Sequence, residues 1–112
     1  MTLAQQGLSL AHIAAEAPDA ATLRLLLERG IKMDAQDYQG NSPIHWATEI
    51  GRLDIVKLLV EEAGVDLRLR NARGMSPLDL AASYGHLEIV RYLIEERGMD
   101  PTEADAGVRP PM

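Results

Sequence analysis

Cysteine and phenylalanine are absent from this sequence, and its only rings besides histidine are one tryptophan and three tyrosines. Without cysteine there is neither a disulfide framework nor a thiolate zinc site, so a reducing compartment suits the chain. With so few aromatics the core must be aliphatic, built from Leu, Ile, Val and Ala, a mix that favours helix packing. Long apolar runs are missing too. The longest, IVKLLV at 55–60, is broken by Lys57 and is far shorter than a membrane span. The amino terminus lacks the basic start of a signal peptide. A cytoplasmic or nuclear chain is the expectation. Positive charge is also scarce: 11 bases face 17 acids, for a formal charge of −6. That field disfavours nucleic acid and anionic membrane surfaces and leaves protein partners open.

What is present is repetition. The segment GNSPIHWATEIGRLDIVKLLVEEAGVD from Gly40 aligns without a gap on GMSPLDLAASYGHLEIVRYLIEERGMD from Gly74, for 27 residues at an offset of 34. A weaker copy starts at Gly7, where Gly7, Ser9, His12 and Ala14 match Gly40, Ser42, His45 and Ala47. Three copies in 112 residues leave no room for another architecture. The expected boundaries are 5–36, 37–70 and 71–103 within one domain spanning 1–112, with 104–112 as a tail.

Each copy reads as helix, turn, helix, loop. Pro43 and Pro77 occupy a first helical position, where a missing N–H costs nothing, and Ser42 and Ser76 precede them as N-caps. The first helix ends at Gly51 or Gly85. The second starts near Leu53 or Leu87 and carries a wide apolar face, Ile55, Val56, Leu58 and Leu59 in one copy and Ile89, Val90, Tyr92 and Leu93 in the next. Gly30, Gly64 and Gly98 stop the second helices, and extended, turning loops follow.

This unit resembles the ankyrin repeat, whose pattern is glycine, any residue, threonine or serine, Pro-Leu-His, then alanines. The likeness covers roughly residues 5 to 103. It implies an all-α solenoid of helix-turn-helix units joined by β-turn loops. Repeat two follows the pattern most closely, while repeat three has Asp79 where histidine is usual. Repeat one has Leu10, Ala11 and Pro18 in place of the proline, leucine and inter-helix glycine, departures that fit a terminal repeat packing on one side.

The resemblance also assigns His45, and His12 before it, to hydrogen bonds with loop backbone. The rival reading, a metal or catalytic histidine, is set aside on the expectation that neither has a carboxylate or second histidine as a partner four residues on. Asp79 in the same slot is expected to serve as another capping residue. Trp46 has two readings: packing on Ala81 or Leu80 of the next repeat, or an anchor for a partner. Glu61–Glu62 and Glu95–Glu96 read as solvated helix ends rather than acid–base pairs. Asp54 with Lys57, and Glu88 with Arg91, read as weak helical ion pairs. In LRLRNAR (67–73), alternation points the arginines outward. No nucleotide-binding or nucleophile-elbow motif occurs, and no polar constellation converges from different repeats, so no catalytic residue, metal or cofactor is expected.

Stacked repeats present a concave surface, and the resemblance implies a protein-binding module using it. The family's contact positions fall on Tyr38, Gln39 and Asn41 at one loop tip and on Ala72, Arg73 and Met75 at the next. Trp46, Glu49, Ile50, Ser83 and Tyr84 supply the first-helix contacts. Self-association is the alternative, along with a fragment of a longer array. LEIVRYLIEE, in the last copy, is as apolar as its internal counterpart, where a terminal repeat normally shows a polar outer face, and GVRPPM resembles the start of a fourth copy.

Overall fold

The computed structural model describes residues 9–101, so Gly7 and the 104–112 tail lie outside the described residues. Helices come in pairs: α1 (Leu10–Ala14) and α2 (Ala21–Glu28), α3 (Pro43–Ile50) and α4 (Leu53–Glu61), α5 (Pro77–Ser83) and α6 (Leu87–Arg91). A π-helical turn, Tyr92–Glu96, extends α6. There is no strand among the described residues. The first helices α1, α3 and α5 pack in one row, and α4 packs against α6 in a second.

Local chemistry sets these boundaries. Ser42 and Ser76 are extended at the N-caps, each followed by proline in the first turn. The glycines at 30, 64 and 98 all take positive φ where the second helices stop. The apolar stripes meet in one aliphatic core that includes fully buried Leu23, Ile44, Ile55, Leu59, Ile89 and Leu93. The π-helical turn begins where Tyr92 stands in place of Leu58. Tyr92 is 2% exposed and its hydroxyl donates to Glu61 of α4 at 2.6 Å. Burial, with that carboxylate beside it, pushes the Tyr92 hydroxyl well above its usual range.

Several polar side chains bond across repeats rather than to solvent. Glu62 pairs with Arg24 of repeat one at 2.7 Å, and Glu61 accepts from Tyr92, so this acidic pair is exposed but not merely solvated. Asp54 pairs with Arg52 at 2.8 Å, while the Lys57 ammonium sits 5.4 Å from the Tyr92 ring centroid. Arg91 lies 3.8 Å from Glu95, one turn on, instead of pairing with Glu88. The expected i,i+3 pairs of Asp54 with Lys57 and Glu88 with Arg91 thus give way to other partners for Asp54, Lys57 and Arg91. Arg70 departs from the outward alternation as well: its guanidinium donates to the Gly74 carbonyl at 2.6 Å and reaches Asp79 at 3.4 Å. A charged aspartate in the histidine slot attracts it inward.

The loop tips are built alike and tied together. Asp37 Oδ1 accepts from the N–H groups of Gln39 and Asn41, as Asn71 Oδ1 accepts from those of Arg73 and Met75. Tip joins tip through Ala72 N–H to the Gln39 carbonyl at 2.9 Å and Asn71 Nδ2 to Asn41 Oδ1 at 2.9 Å. Gly40, at φ +75°, sits at this junction, and a Cβ there would lie 2.5 Å from the Ala72 nitrogen. Gly74 has nearly the same φ and open space around it. Gly74→Ala should cost about 1–2 kcal/mol for the left-handed backbone alone. Gly40→Ala should cost more, because the backbone of the next tip must also move. Urea midpoints of the two variants decide it, and equal losses would mean that the close approach is not felt.

Candidate functional site

The site is assembled on α3, the turns that follow α1 and α5, and the first tip. Helix α3 begins at Pro43, so Trp46, Glu49 and Ile50 follow one another along its inner side. Tyr84 caps the end of α5, and Gln39 comes from the tip held by Asp37. Gln39, Asn41, Trp46, Glu49, Ile50 and Tyr84 line one concave cavity of about 310 Å³ together with Glu16 from repeat one. Six of the expected contact residues thus share a single hollow. Glu16 was missed, although it holds the same place after His12 that Glu49 holds after His45.

The side chains are held in place. Tyr84 donates its hydroxyl to Glu49 Oε1 at 2.9 Å, and its ring stacks on His86 at 6.2 Å. His86 shares a 2.9 Å hydrogen bond through Nε2 with the Glu49 carbonyl. Trp46 is half-buried and meets His12 edge-on at 5.4 Å, so its aromatic neighbour belongs to the preceding repeat rather than the next. Its indole N–H donates to Asp37 Oδ2 at 3.2 Å. A different arrangement is seen at Asn41, which is only 7% exposed. Its side-chain oxygen is taken by Asn71 and its carbonyl is bonded to His12 Nε2 at 2.7 Å. Its amide therefore ties the tips together as well as bordering the hollow.

The remaining expected residues lie outside the hollow. Tyr38 is 74% exposed at its tip, Arg73 is exposed at the next, and Ser83 is exposed on α5. Met75 is half-buried, its backbone used by Asn71 and His45.

His12 and His45 are fully buried. Glu16 and Glu49 do follow them at four residues, a spacing that a metal pair would use, which corrects the expectation that no carboxylate stands there. The histidines are committed elsewhere: Nδ1 of each accepts from the serine N–H at the N-cap, and Nε2 reaches loop carbonyls. The carboxylates line the hollow instead. Among the described residues, no group of three or more His, Asp or Glu side chains is placed to hold a metal ion. A larger hollow of about 720 Å³ lies between the loops that follow α2 and α4, lined by Leu27, Ile31, Met33 and Val65 among others. It contains none of the expected contact residues.

Residues 11–105 match the family model of ankyrin repeats in three copies. A 55-residue stretch, 49% of this chain, is 36% identical to ADP-ribosylation factor GTPase-activating protein AGD4 of Arabidopsis thaliana. A 36-residue stretch, 32% of the chain, is 44% identical to Acyl-CoA-binding domain-containing protein 2 of the same plant. These matches take in 7% and 10% of the relatives' lengths, so the chain spans only a small part of the curated relatives it matches.

Proposed function

This chain belongs to the ankyrin repeat family, and from that membership we propose that it is a non-catalytic module binding another protein through its loop tips and concave helix face. Ankyrin repeats are generally protein-interaction units. The observation that carries the reading is the shared hollow, where side chains from three repeats meet around Trp46 and Tyr84. Both rings are of the type enriched at binding hot spots. The relatives name two different activities, GTPase activation and acyl-CoA binding, beside a similar stretch of sequence. That pattern favours a recognition role for the stretch itself. The net acidity supports a protein partner over nucleic acid or an anionic membrane, in the cytoplasm or nucleus.

The test is a double variant, Tyr38→Ala with Tyr84→Ala, titrated against a partner recovered by pull-down with the folded chain. Neither ring is buried, so circular dichroism should be unchanged. Affinity should fall by about tenfold or more, as hot-spot truncations do. Arg91→Ala, on the outer side, should leave it within a few-fold. Full binding by the tyrosine variant with loss in the control would move the interface to the convex side.

A second reading, self-association, draws on the third repeat. Leu87 is 63% exposed where Leu53, its counterpart, is half-buried, and Val90 and Ile94 are half-buried where Val56 and Val60 are buried. Sedimentation mass that rises with concentration, and is restored to monomer by Leu87→Glu, would favour it.

A further inference from the structure

We infer that the hollow between Trp46 and Tyr84 seats a cationic side chain, an arginine or lysine from a basic segment of the partner protein. The inference rests on the concave-face reading and names the chemistry which that face selects. Three features of the lining converge on it. Two carboxylates, Glu16 and Glu49, come from different repeats, and none of the lining residues is basic. Two rings, Trp46 and Tyr84, share the cavity with them, and an indole is the best aromatic face for a cation. Ile50 adds apolar surface, 48% exposed, of the kind along which a long basic side chain lays its methylene stem.

Size and preorganisation agree. A cavity of about 310 Å³ is at the small end of ligand pockets and has room for one long side chain but not for a helix. Glu49 is oriented by the Tyr84 hydroxyl at 2.9 Å and Trp46 by Asp37 at 3.2 Å, so one acid and both rings need not be ordered on binding. Asp37 places a third carboxylate at the N–H edge of the indole. The same charge set rejects phosphate and carboxylate groups. An apolar side chain would fit the rings but leave two carboxylates desolvated without a counter-charge.

Trp46 is the chain's single tryptophan, so its indole signal reports on the hollow directly. The probes are three blocked pentapeptides of glycine and serine whose central residue is arginine, its neutral isostere citrulline, or norleucine. In nitrogen–proton correlation spectra the arginine peptide should shift the Trp46 indole resonance in a saturable way, and raising the salt should weaken that response. The citrulline and norleucine peptides should bind about tenfold more weakly. The double variant Glu16→Gln with Glu49→Gln, isosteric and unchanged in circular dichroism, should lose the preference for arginine. Equal shifts from the norleucine and arginine peptides, or no shift at the indole from arginine at millimolar concentration, would overturn the inference. The two readings separate with the recovered partner. Loss on Tyr38→Ala with Tyr84→Ala, but none on Glu16→Gln with Glu49→Gln, keeps the concave face and removes the cation. Binding untouched by either variant removes both.

Discussion

Leu59→Ala is expected to unfold much of the chain at room temperature. Leu59 is fully buried in the last turn of α4, within the core cluster that joins all three repeats, and its carbonyl accepts from Val65 N–H at 3.1 Å where the next loop leaves the helix. Truncating a leucine in such a place costs about 2–5 kcal/mol, the spread reflecting how far the site can collapse. Neighbouring side chains here are anchored on rows of helices from both sides, so little collapse is available. A stack's stability is the sum of weak units and strong interfaces, and three units are near the minimum. The total for a domain of this size lies near the lower end of about 5–15 kcal/mol, so one such loss removes much of it. Leu25→Ala is the control, since Leu25 is 48% exposed on α2 and should cost about 0.5 kcal/mol or less. Denaturant midpoints by circular dichroism measure both. A Leu59→Ala midpoint equal to that of the parent would mean that the second helix is registered wrongly.

The helices were legible because their signals are local. Proline after serine, apolar residues at helical spacing and a glycine stop each act within one element, and the structure places α3, α4 and α5 where those signals fall. The connections between repeats were not legible in the same way, since a side chain's partner depends on how far one unit is rotated on the next. Arg52 and His86 show this. They occupy equivalent positions at an offset of 34, and each reaches back to carbonyls at the end of the preceding first helix, Arg52 to Ala17 and Pro18 and His86 to Glu49. One is a guanidinium and the other an imidazole, so identity alone hides the shared role. Asp37 and Asn71 are similarly paired by the offset and similarly hold the tips. In the hollow, the α3 positions and Tyr84 came from the repeat pattern, whereas Glu16 lay in the degenerate copy where the pattern is weakest. Asn41 is a tip position by sequence, and the repeat pattern gives no sign that its amide also joins the tips by accepting from Asn71.

His45 carries the second large effect. Its Nδ1 accepts from Ser42 N–H at 3.0 Å, which assigns the proton to Nε2, and Nε2 then donates to the carbonyls of Leu69 at 2.9 Å and Met75 at 3.2 Å. One ring therefore caps its own helix and holds the next loop. His45→Ala strands those buried carbonyls and leaves a cavity, for a loss of about 2–4 kcal/mol. Added zinc should shift the melting temperature of neither form. Burial also pushes the imidazole below its ordinary value, although the two carbonyls oppose this. Between the folded value and the unfolded one near 6.5, the unfolded chain binds the extra proton. Stability from this group is thus complete above about pH 6.5 and falls as the pH drops through that window. The difference in stability between parent and His45→Ala should shrink on acidification, and a difference constant from pH 7.5 to 5 would mean that the ring titrates normally. Repeat three states the alternative solution to the same slot. There Asp79 accepts from Ser76 N–H at 2.9 Å, but it has no proton for a following loop, and Arg70 stands where repeat two has Gln36. Gln36 and Arg70 both donate to the carbonyl of the tip glycine, Gly40 and Gly74. His45→Asp alone should therefore destabilise at least as much as His45→Ala, because it buries a carboxylate without a counter-charge. Adding Gln36→Arg should recover part of that loss, by about 1 kcal/mol or more in a double-mutant cycle. No recovery would mean that Arg70 and Asp79 are neighbours without being coupled, and that the cap, rather than the charge, decides which residues the slot accepts.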